Sequence, residues 1–107
     1  MDTASTPLTG KQKKYLKSLA HSLVPVVQLG KEGLSAQAIA ATDVELMRHE
    51  LIKVKIGGNS GLEKVATATT LVAATGGQLV QVIGKIVVLY RENPKRAKEQ
   101  RIRLPKD

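Results

Sequence analysis

The segment Leu51–Ile56 alternates apolar residues with lysines, and this alternation limits what the chain can fold into. Side chains of an extended strand point alternately to its two faces, so Ile52, Val54 and Ile56 share one face whereas Lys53 and Lys55 point to the other. If helices cover one face of the sheet, the two lysines lie on its open side or beneath the C-terminal end of the chain. The alternation therefore predicts a strand that turns Ile52, Val54 and Ile56 to one face and the two lysines to the other.

Helical segments surround this strand, and capping signals predict where each begins. Thr9 and Gln12 have the spacing of a capping box before a first helix. Ser35 can cap a second helix, and Ser60 with Glu63 forms a capping box before a third. The predicted buried stripes are Tyr15, Leu16, Leu19, Ala20 and Leu23 in the first helix, Ala36, Ile39, Ala40, Met47 and Leu51 along the second, and Leu62, Val65, Ala66, Thr69 and Val72 in the third.

The last third of the chain predicts a hairpin, because the β-branched runs Val80–Ile83 and Ile86–Tyr90 flank Gly84-Lys85. A two-residue loop with Gly first suits a type II′ turn. With a short strand near residues 26–29, the element order is α-β-α-β-α-β-β. Helices between strands favour parallel pairing with right-handed crossovers, and the hairpin adds an antiparallel pair. We therefore predict a two-layer α/β sandwich with a mixed four-stranded sheet.

The chain has 107 residues, which suits a single domain. Its polar start predicts a disordered leader over residues 1–7, its middle a domain over residues 8–91, and its basic end a C-terminal tail over residues 92–107. No apolar run reaches the ~20 residues that span a bilayer, and the start lacks a secretory signal, so we expect a cytoplasmic protein with no membrane partner. No exposed apolar stripe stands out, so we expect a monomer.

The charge balance predicts a polyanionic partner. Lys and Arg total 17 against 9 Asp and Glu, which gives a formal charge of +8. A charge of this size attracts polyanions, and nucleic acid is the commonest such partner of a small basic domain, with an anionic membrane surface as the competitor. A merely solvated surface has the same composition. The candidate phosphate contacts are Lys11, Lys13, Lys14 and Lys17 on the first helix, Lys53 and Lys55 on the strand, and Arg91 after the hairpin.

The tetrapeptide Gly30-Lys31-Glu32-Gly33 is a second candidate contact. Two glycines let the backbone approach a ligand closely, and a GxxG loop clamps single-stranded RNA in KH domains. The loop leads into the second helix, whose free N–H groups favour an anion. Glycines at a strand-to-helix turn also serve the turn alone, so both interpretations stay open for Gly30, Lys31 and Gly33.

Catalytic and metal-binding patterns are missing from the sequence. It has no Cys, no HExxH, P-loop or GxSxG motif, and its nine carboxylates are scattered. The two histidines lie near predicted helix ends, where caps or surface groups are more common than catalytic bases. We therefore predict a protein that is not an enzyme and that uses no cofactor, metal or small-molecule substrate.

Several segments, in order and without large insertions, resemble the CRM-domain family and most closely its small bacterial YhbY-like members. The matching motifs include Thr9-Gly10-Lys11-Gln12, Pro25-Val26-Val27, Gly30-Lys31-Glu32-Gly33-Leu34, His49-Glu50-Leu51-Ile52-Lys53-Val54-Lys55-Ile56, Val80-Gln81-Val82-Ile83-Gly84-Lys85 and Leu89-Tyr90-Arg91. The resemblance implies a fold similar to the C-terminal domain of translation initiation factor three. It also implies RNA contacts through the GxxG loop and the neighbouring basic surface. The Gly-rich turn at residues 57–61 departs from the family pattern.

The resemblance further implies association with precursors of the large ribosomal subunit. The working hypothesis is a non-catalytic protein that binds ribosomal RNA in ribosome assembly, through phosphate contacts of the first helix and the GxxG loop. The alternative is a protein-interaction module that docks on a ribosomal protein or another assembly factor. DNA is a further possible ligand, because phosphate contacts alone do not distinguish the sugar.

Overall fold

A computed structural model describes residues 7–106, so residues 1–6 of the predicted leader lie outside the described residues. The elements are α1 (Gly10–Ala20), β1 (Val27–Leu29), α2 (Ala36–His49), β2 (Leu51–Ile56), α3 (Lys64–Thr75), β3 (Gln78–Ile83), β4 (Ile86–Tyr90) and a short 3₁₀ helix (Lys98–Gln100). The predicted order of helices and strands is confirmed. Within the described part of the chain, no helix has the length and apolar character to cross a membrane.

The four strands form one mixed sheet in the order β1-β2-β4-β3. β1 runs parallel to β2, whereas β4 lies antiparallel to both β2 and β3. At the hairpin tip Gly84 has a φ of +55° while Lys85 does not have a positive φ, which is the pattern of a type II′ turn. The predicted fold class, with a mixed four-stranded sheet, is confirmed.

The two faces of the sheet pack against different partners. α2 and α3 cover one face, where the core consists of Val27, Leu29, Leu46, Ile52, Val54, Ile56, Ala68, Leu71, Val87 and Leu89. The second face packs against α1 and the end of the chain, in a cluster of Leu16, Ala20, Leu51, Val80, Val88 and Tyr90 that Ile102 and Leu104 join. The helical layer therefore lies on one face, and α1 with residues 92–106, the C-terminal strap, partly covers the other.

Helix starts follow the predicted caps in two cases out of three. The Thr9 hydroxyl accepts from Gln12 N at 3.1 Å, and the Gln12 side chain accepts from Thr9 N, which completes the capping box. Ser35 caps α2 as predicted. The third prediction is wrong, because Glu63 itself caps α3 and accepts from the amides of its first turn. These two hydrogen bonds lower the pKa of the Glu63 carboxyl.

The predicted buried stripes of α2 and α3 are wrong in most positions, although Leu62 and Val72 do pack against the core. α2 buries Thr42 and Leu46, whereas Met47 is 50% exposed. α3 buries Thr67, Ala68, Leu71 and Thr75 and leaves Val65 exposed. The buried threonine hydroxyls donate to carbonyls four residues earlier, so they enter the core without an unsatisfied donor.

A buried carboxylate joins the end of α2 to the strap. Glu50 follows α2 with a φ of +64°, and its side chain is 0% exposed. It accepts hydrogen bonds from Asn93 N at 2.8 Å, Ile102 N at 2.8 Å and Arg96 Nη1 at 3.0 Å. Three donors of the strap therefore converge on one residue of the α2–β2 junction, and they offset the cost of burying its charge.

Candidate nucleic-acid interface

The part of the second sheet face that α1 leaves open forms a groove of about 370 Å³, called the basic groove below. Its lining residues are Lys17, Ser18, Ala20 and His21 of α1, Lys53 of β2, Gln81 and Ile83 of β3, and Val88 of β4. Two lysines from different elements thus line one concave surface. None of the described acidic residues lines it.

A bulge in β3 places Gln81 in the basic groove. Leu79 pairs with Leu89 but Gln81 pairs with the adjacent Val88, so β3 has one extra residue between these pairs. Both Val80 and Gln81 consequently face the α1 side, whereas Leu79 packs against the opposite core. The bulge therefore adds an amide, which can donate and accept hydrogen bonds, to a wall that would otherwise be apolar.

Lys53 is held in place by the loop after α1. Its ammonium donates to the Leu23 carbonyl at 2.9 Å, which fixes the side chain toward that loop. An ammonium has three N–H donors, so two remain for an anion. Lys17 and His21, which line the same groove, are both exposed. The groove can therefore offer several donors to an anion without disturbing the core.

The remaining lysines of α1 extend this positive surface along the helix. Lys11, Lys13 and Lys14 are all exposed, and α1 contains no acidic residue. Lys11 Nζ donates to the Lys106 carbonyl of the strap at 3.1 Å. The four lysines of α1 therefore give this helix an exposed positive charge along its length, and Lys17 brings that charge to the basic groove beside Lys53.

The GxxG loop lies apart from the basic groove, at the end of β1. Gly33 N donates to the Gly30 carbonyl at 2.9 Å, and Gly33 has a φ of +66° that favours glycine. A side-chain carbon at Gly30 would meet nothing within 4 Å, so that backbone faces open space. Lys31 and Glu32 are both exposed at the tip. The loop thus has the openness that a phosphate contact needs, with one positive and one negative side chain beside it.

The Gly-rich turn after β2 packs directly against the end of β1. Gly57 N donates to the Leu29 carbonyl at 2.7 Å, and a Cβ on Gly57 would lie 2.7 Å from the same oxygen. Glycine is therefore required there for the two loops to approach each other. Lys55 is exposed and pairs with Gln28 of β1, one residue before the last pair of these two strands. The Lys85 ammonium lies 3.7 Å from the position of a Cβ on Gly58, within the Gly-rich turn.

Comparison with known proteins places the chain among relatives named for RNA binding. Residues 8–91 match the CRS1/YhbY (CRM) domain model. The chain belongs to the CRS1/YhbY (CRM) domain family. It is 44% identical to an RNA-binding protein of Haemophilus influenzae over 101 residues, which cover 94% of this chain and 98% of that protein. It is likewise 44% identical to the probable RNA-binding protein YqeI of Bacillus subtilis over 86 residues, 80% of this chain and 90% of the other.

A solved structure shows that this CRM-domain chain has a known fold. The solution structure of a Staphylococcus aureus protein, described as a candidate RNA-binding protein, superposes with a TM-score of 0.74 at 47% identity. The match covers 92% of this chain and 99% of the other. The resemblance found in the sequence is thereby confirmed.

Arg91, the last residue of the CRM-domain match, has a structural role in this chain. Its guanidinium donates to the Asp43 carboxylate, to the Asp43 carbonyl and to the Thr75 carbonyl. These contacts tie the end of β4 to α2 and to the end of α3. The predicted site residues of this CRM domain therefore separate into three groups: α1 with Lys53 at the basic groove, the GxxG loop at the end of β1, and Arg91 apart from both, while Lys55 lies two residues beyond Lys53 on the same face of β2.

Three residues near these surfaces were not among the predicted contacts: His21, Gln81 and Lys85. The sequence carried a signal for Gln81 and Lys85, because both lie in a stretch without acidic residues: no Asp or Glu occurs between Lys64 and Arg91. The described residues also contain no group of three or more side chains that could hold a metal ion.

Proposed function

We propose that this CRM-domain protein is a monomeric, cytoplasmic, non-catalytic RNA-binding protein that associates with ribosomal RNA in precursors of the large ribosomal subunit. The observation that carries the proposal is the basic groove, which Lys17 and Lys53 both line and whose described lining residues include no carboxylate. The lysines of α1 continue this surface. The names of the relatives from Haemophilus influenzae and Bacillus subtilis support RNA as the ligand.

The contacts are made to the phosphate backbone rather than to unstacked bases. Tyr90 is 3% exposed and Tyr15 is 37% exposed, and the chain has no Phe or Trp, so aromatic stacking has little surface to use. Lysine contacts to phosphates release counterions, which makes the affinity strongly dependent on salt. Structured or double-stranded RNA suits such a surface better than a single strand.

The GxxG loop and Lys55 provide a separate contact in this proposal. Gly30 keeps the backbone accessible, Gly33 supplies the positive φ that the turn needs, and Lys31 supplies the charge. Arg91 takes no part, because its guanidinium is already bound to Asp43 and Thr75.

The test of RNA binding measures the affinity at several salt concentrations. The readout is the fluorescence anisotropy of a labelled fragment of large-subunit ribosomal RNA. Lys17→Gln and Lys53→Gln should each flatten the plot of log affinity against log salt by about one unit. Lys64→Gln is the matched control, since Lys64 is exposed at the start of α3, outside the basic groove. Unchanged slopes in both groove variants would refute the proposed surface.

The ribosomal part of the proposal needs a separate experiment. A cell lysate sedimented on a sucrose gradient should show the protein with large-subunit precursors, and ribonuclease or high salt should release it. Association that survives ribonuclease would instead indicate docking on a protein. Sedimentation at the top of the gradient under every condition would contradict a ribosomal role.

A further inference from the structure

The C-terminal strap lies beyond the segment that matches the CRM-domain model, and it is rich in basic residues. Residues 92–106 contain two acids, Glu92 and Glu99, and six bases: Lys95, Arg96, Lys98, Arg101, Arg103 and Lys106. A loose basic tail would attract polyanions without holding them in a defined position. What this strap can do therefore depends on how firmly it is attached to the domain.

The attachment of the strap is polar at its start. Glu50 accepts from Asn93 N and Ile102 N, both at 2.8 Å, so two backbone positions nine residues apart bind the same carboxylate. Asn93 Nδ2 also donates to the Met47 carbonyl at 2.7 Å. The first part of the strap is therefore fixed to the end of α2.

Toward its end, the strap contacts the domain first through apolar side chains and then through hydrogen bonds. Ile102 and Leu104 pack into the cluster beneath α1. Gln12 Nε2 donates to the Pro105 carbonyl and Lys11 Nζ to the Lys106 carbonyl, both at 3.1 Å. The last residues of the strap consequently lie beside the N-terminal half of α1, whereas the basic groove lies beside its C-terminal half.

Two of the six bases are used to hold the strap, and four are not. Arg96 pairs with Glu50 and Arg101 pairs with Glu92. Within residues 7–106, the remaining four make no ion pair, and all are exposed: Lys95, Lys98, Arg103 and Lys106. Their backbone is already ordered, so a phosphate that binds them costs little further chain entropy.

We propose that the strap is a second RNA-contacting surface, and that RNA bound at the basic groove continues past α1 onto the strap. The inference rests on the proposed function. Continuity with α1 favours RNA over an acidic protein, because Lys11 joins the two surfaces and phosphates are evenly spaced along a strand. The second surface lengthens the RNA that one protein molecule covers.

The experiment compares two double variants in the salt titration described above. Lys98→Gln with Arg103→Gln should flatten the salt slope by about one to two units, because up to two phosphate contacts are lost. Lys64→Gln with Arg48→Gln changes the same number of exposed charges on the α2 and α3 side and should leave the slope unchanged. Circular dichroism checks that both variants keep the fold.

A third variant makes the result independent of folding defects. Glu99 is the exposed acid beside Lys98, so Glu99→Gln should raise the affinity for RNA, and a damaged protein would not bind more tightly. The inference is overturned if Lys98→Gln with Arg103→Gln keeps the wild-type salt slope and Glu99→Gln leaves the affinity for RNA unchanged. In that case a flatter slope in Lys17→Gln still shows that RNA binds at the basic groove. If Lys17→Gln is also without effect, the proposed function fails as well.

Discussion

Replacing the buried carboxylate of Glu50 by an amide should destabilise the protein strongly, because the carboxylate is fully buried and accepts three hydrogen bonds. Glu50→Gln keeps the Cβ, the backbone strain at a φ of +64° and almost the same volume, so the change isolates the carboxylate. One oxygen, Oε1, accepts from Arg96 and Ile102, and the other, Oε2, accepts from Asn93. An amide group can accept at only one of these positions, so at least one donor faces an NH₂ group.

The magnitude follows from these contacts. A buried N–H without an acceptor costs about 1–3 kcal/mol. Arg96, whose side chain is 18% exposed, loses its counter-charge as well, and removing one partner of a buried pair costs about 3–5 kcal/mol. We expect a loss of about 3 kcal/mol, which is a large share of the ~5–15 kcal/mol typical of a whole domain.

The free energy of unfolding is measured by urea denaturation, with far-ultraviolet circular dichroism as the readout. Amide hydrogen exchange reports the protection of the Asn93 and Ile102 amides. Glu99→Gln is the control, because the exposed Glu99 is a surface charge of the same strap and should change stability by less than about 0.5 kcal/mol. A loss below about 1 kcal/mol in Glu50→Gln, with both amides still protected, would refute the reasoning.

Three further predictions concern single residues. Burial and two nearby carboxylates raise the pKa of Tyr90 to about 12, so the folded protein keeps a proton that the unfolded chain loses near its ordinary pKa of 10.0. Stability in urea should therefore fall between these values by up to about 1.4 kcal/mol per pH unit, and Tyr90→Phe should remove that contribution. Gly57→Ala should lower the free energy of unfolding by about 1–3 kcal/mol, because its Cβ would lie 2.7 Å from a backbone carbonyl, whereas Gly58→Ala meets nothing closer than 3.7 Å. Gly33→Ala should cost about 1–2 kcal/mol for its positive φ and Gly30→Ala much less, as thermal denaturation can measure. Equal stability within either glycine pair would contradict the geometry.

The fold was predictable wherever side chains contrast sharply along the sequence. Alternation in β2, the capping box at Thr9 and the Gly84 turn each depend on local chemistry, and each is confirmed. The registers of α2 and α3 were not predictable in this way. Alanine gives little contrast between faces, and Thr42 and Thr67 are counted as polar although each satisfies its own hydroxyl within the helix.

Contacts between distant residues account for the remaining differences. Arg91 lies in a basic stretch, which predicts an RNA contact, and its ion pair with Asp43 carries no local signal because the two residues are 48 positions apart. The attachment of the strap depends on Glu50, which carries no local signal of its role. Periodicity and composition describe neighbours along the chain, so neither could reveal these pairs.

Because of the bulge in β3, the number of residues in this strand determines which side chains face the core. Between the pairs Leu79–Leu89 and Gln81–Val88, β3 carries one residue more than β4. Deleting Gln81 would restore a regular ladder, keep the buried Val80 on the α1 side and leave Leu79 and Val82 on the helix-covered face. A deletion elsewhere within the strand would turn part of its apolar set outward. The strand can therefore lose this one residue without turning its core side chains outward. The basic groove would then lose the Gln81 amide.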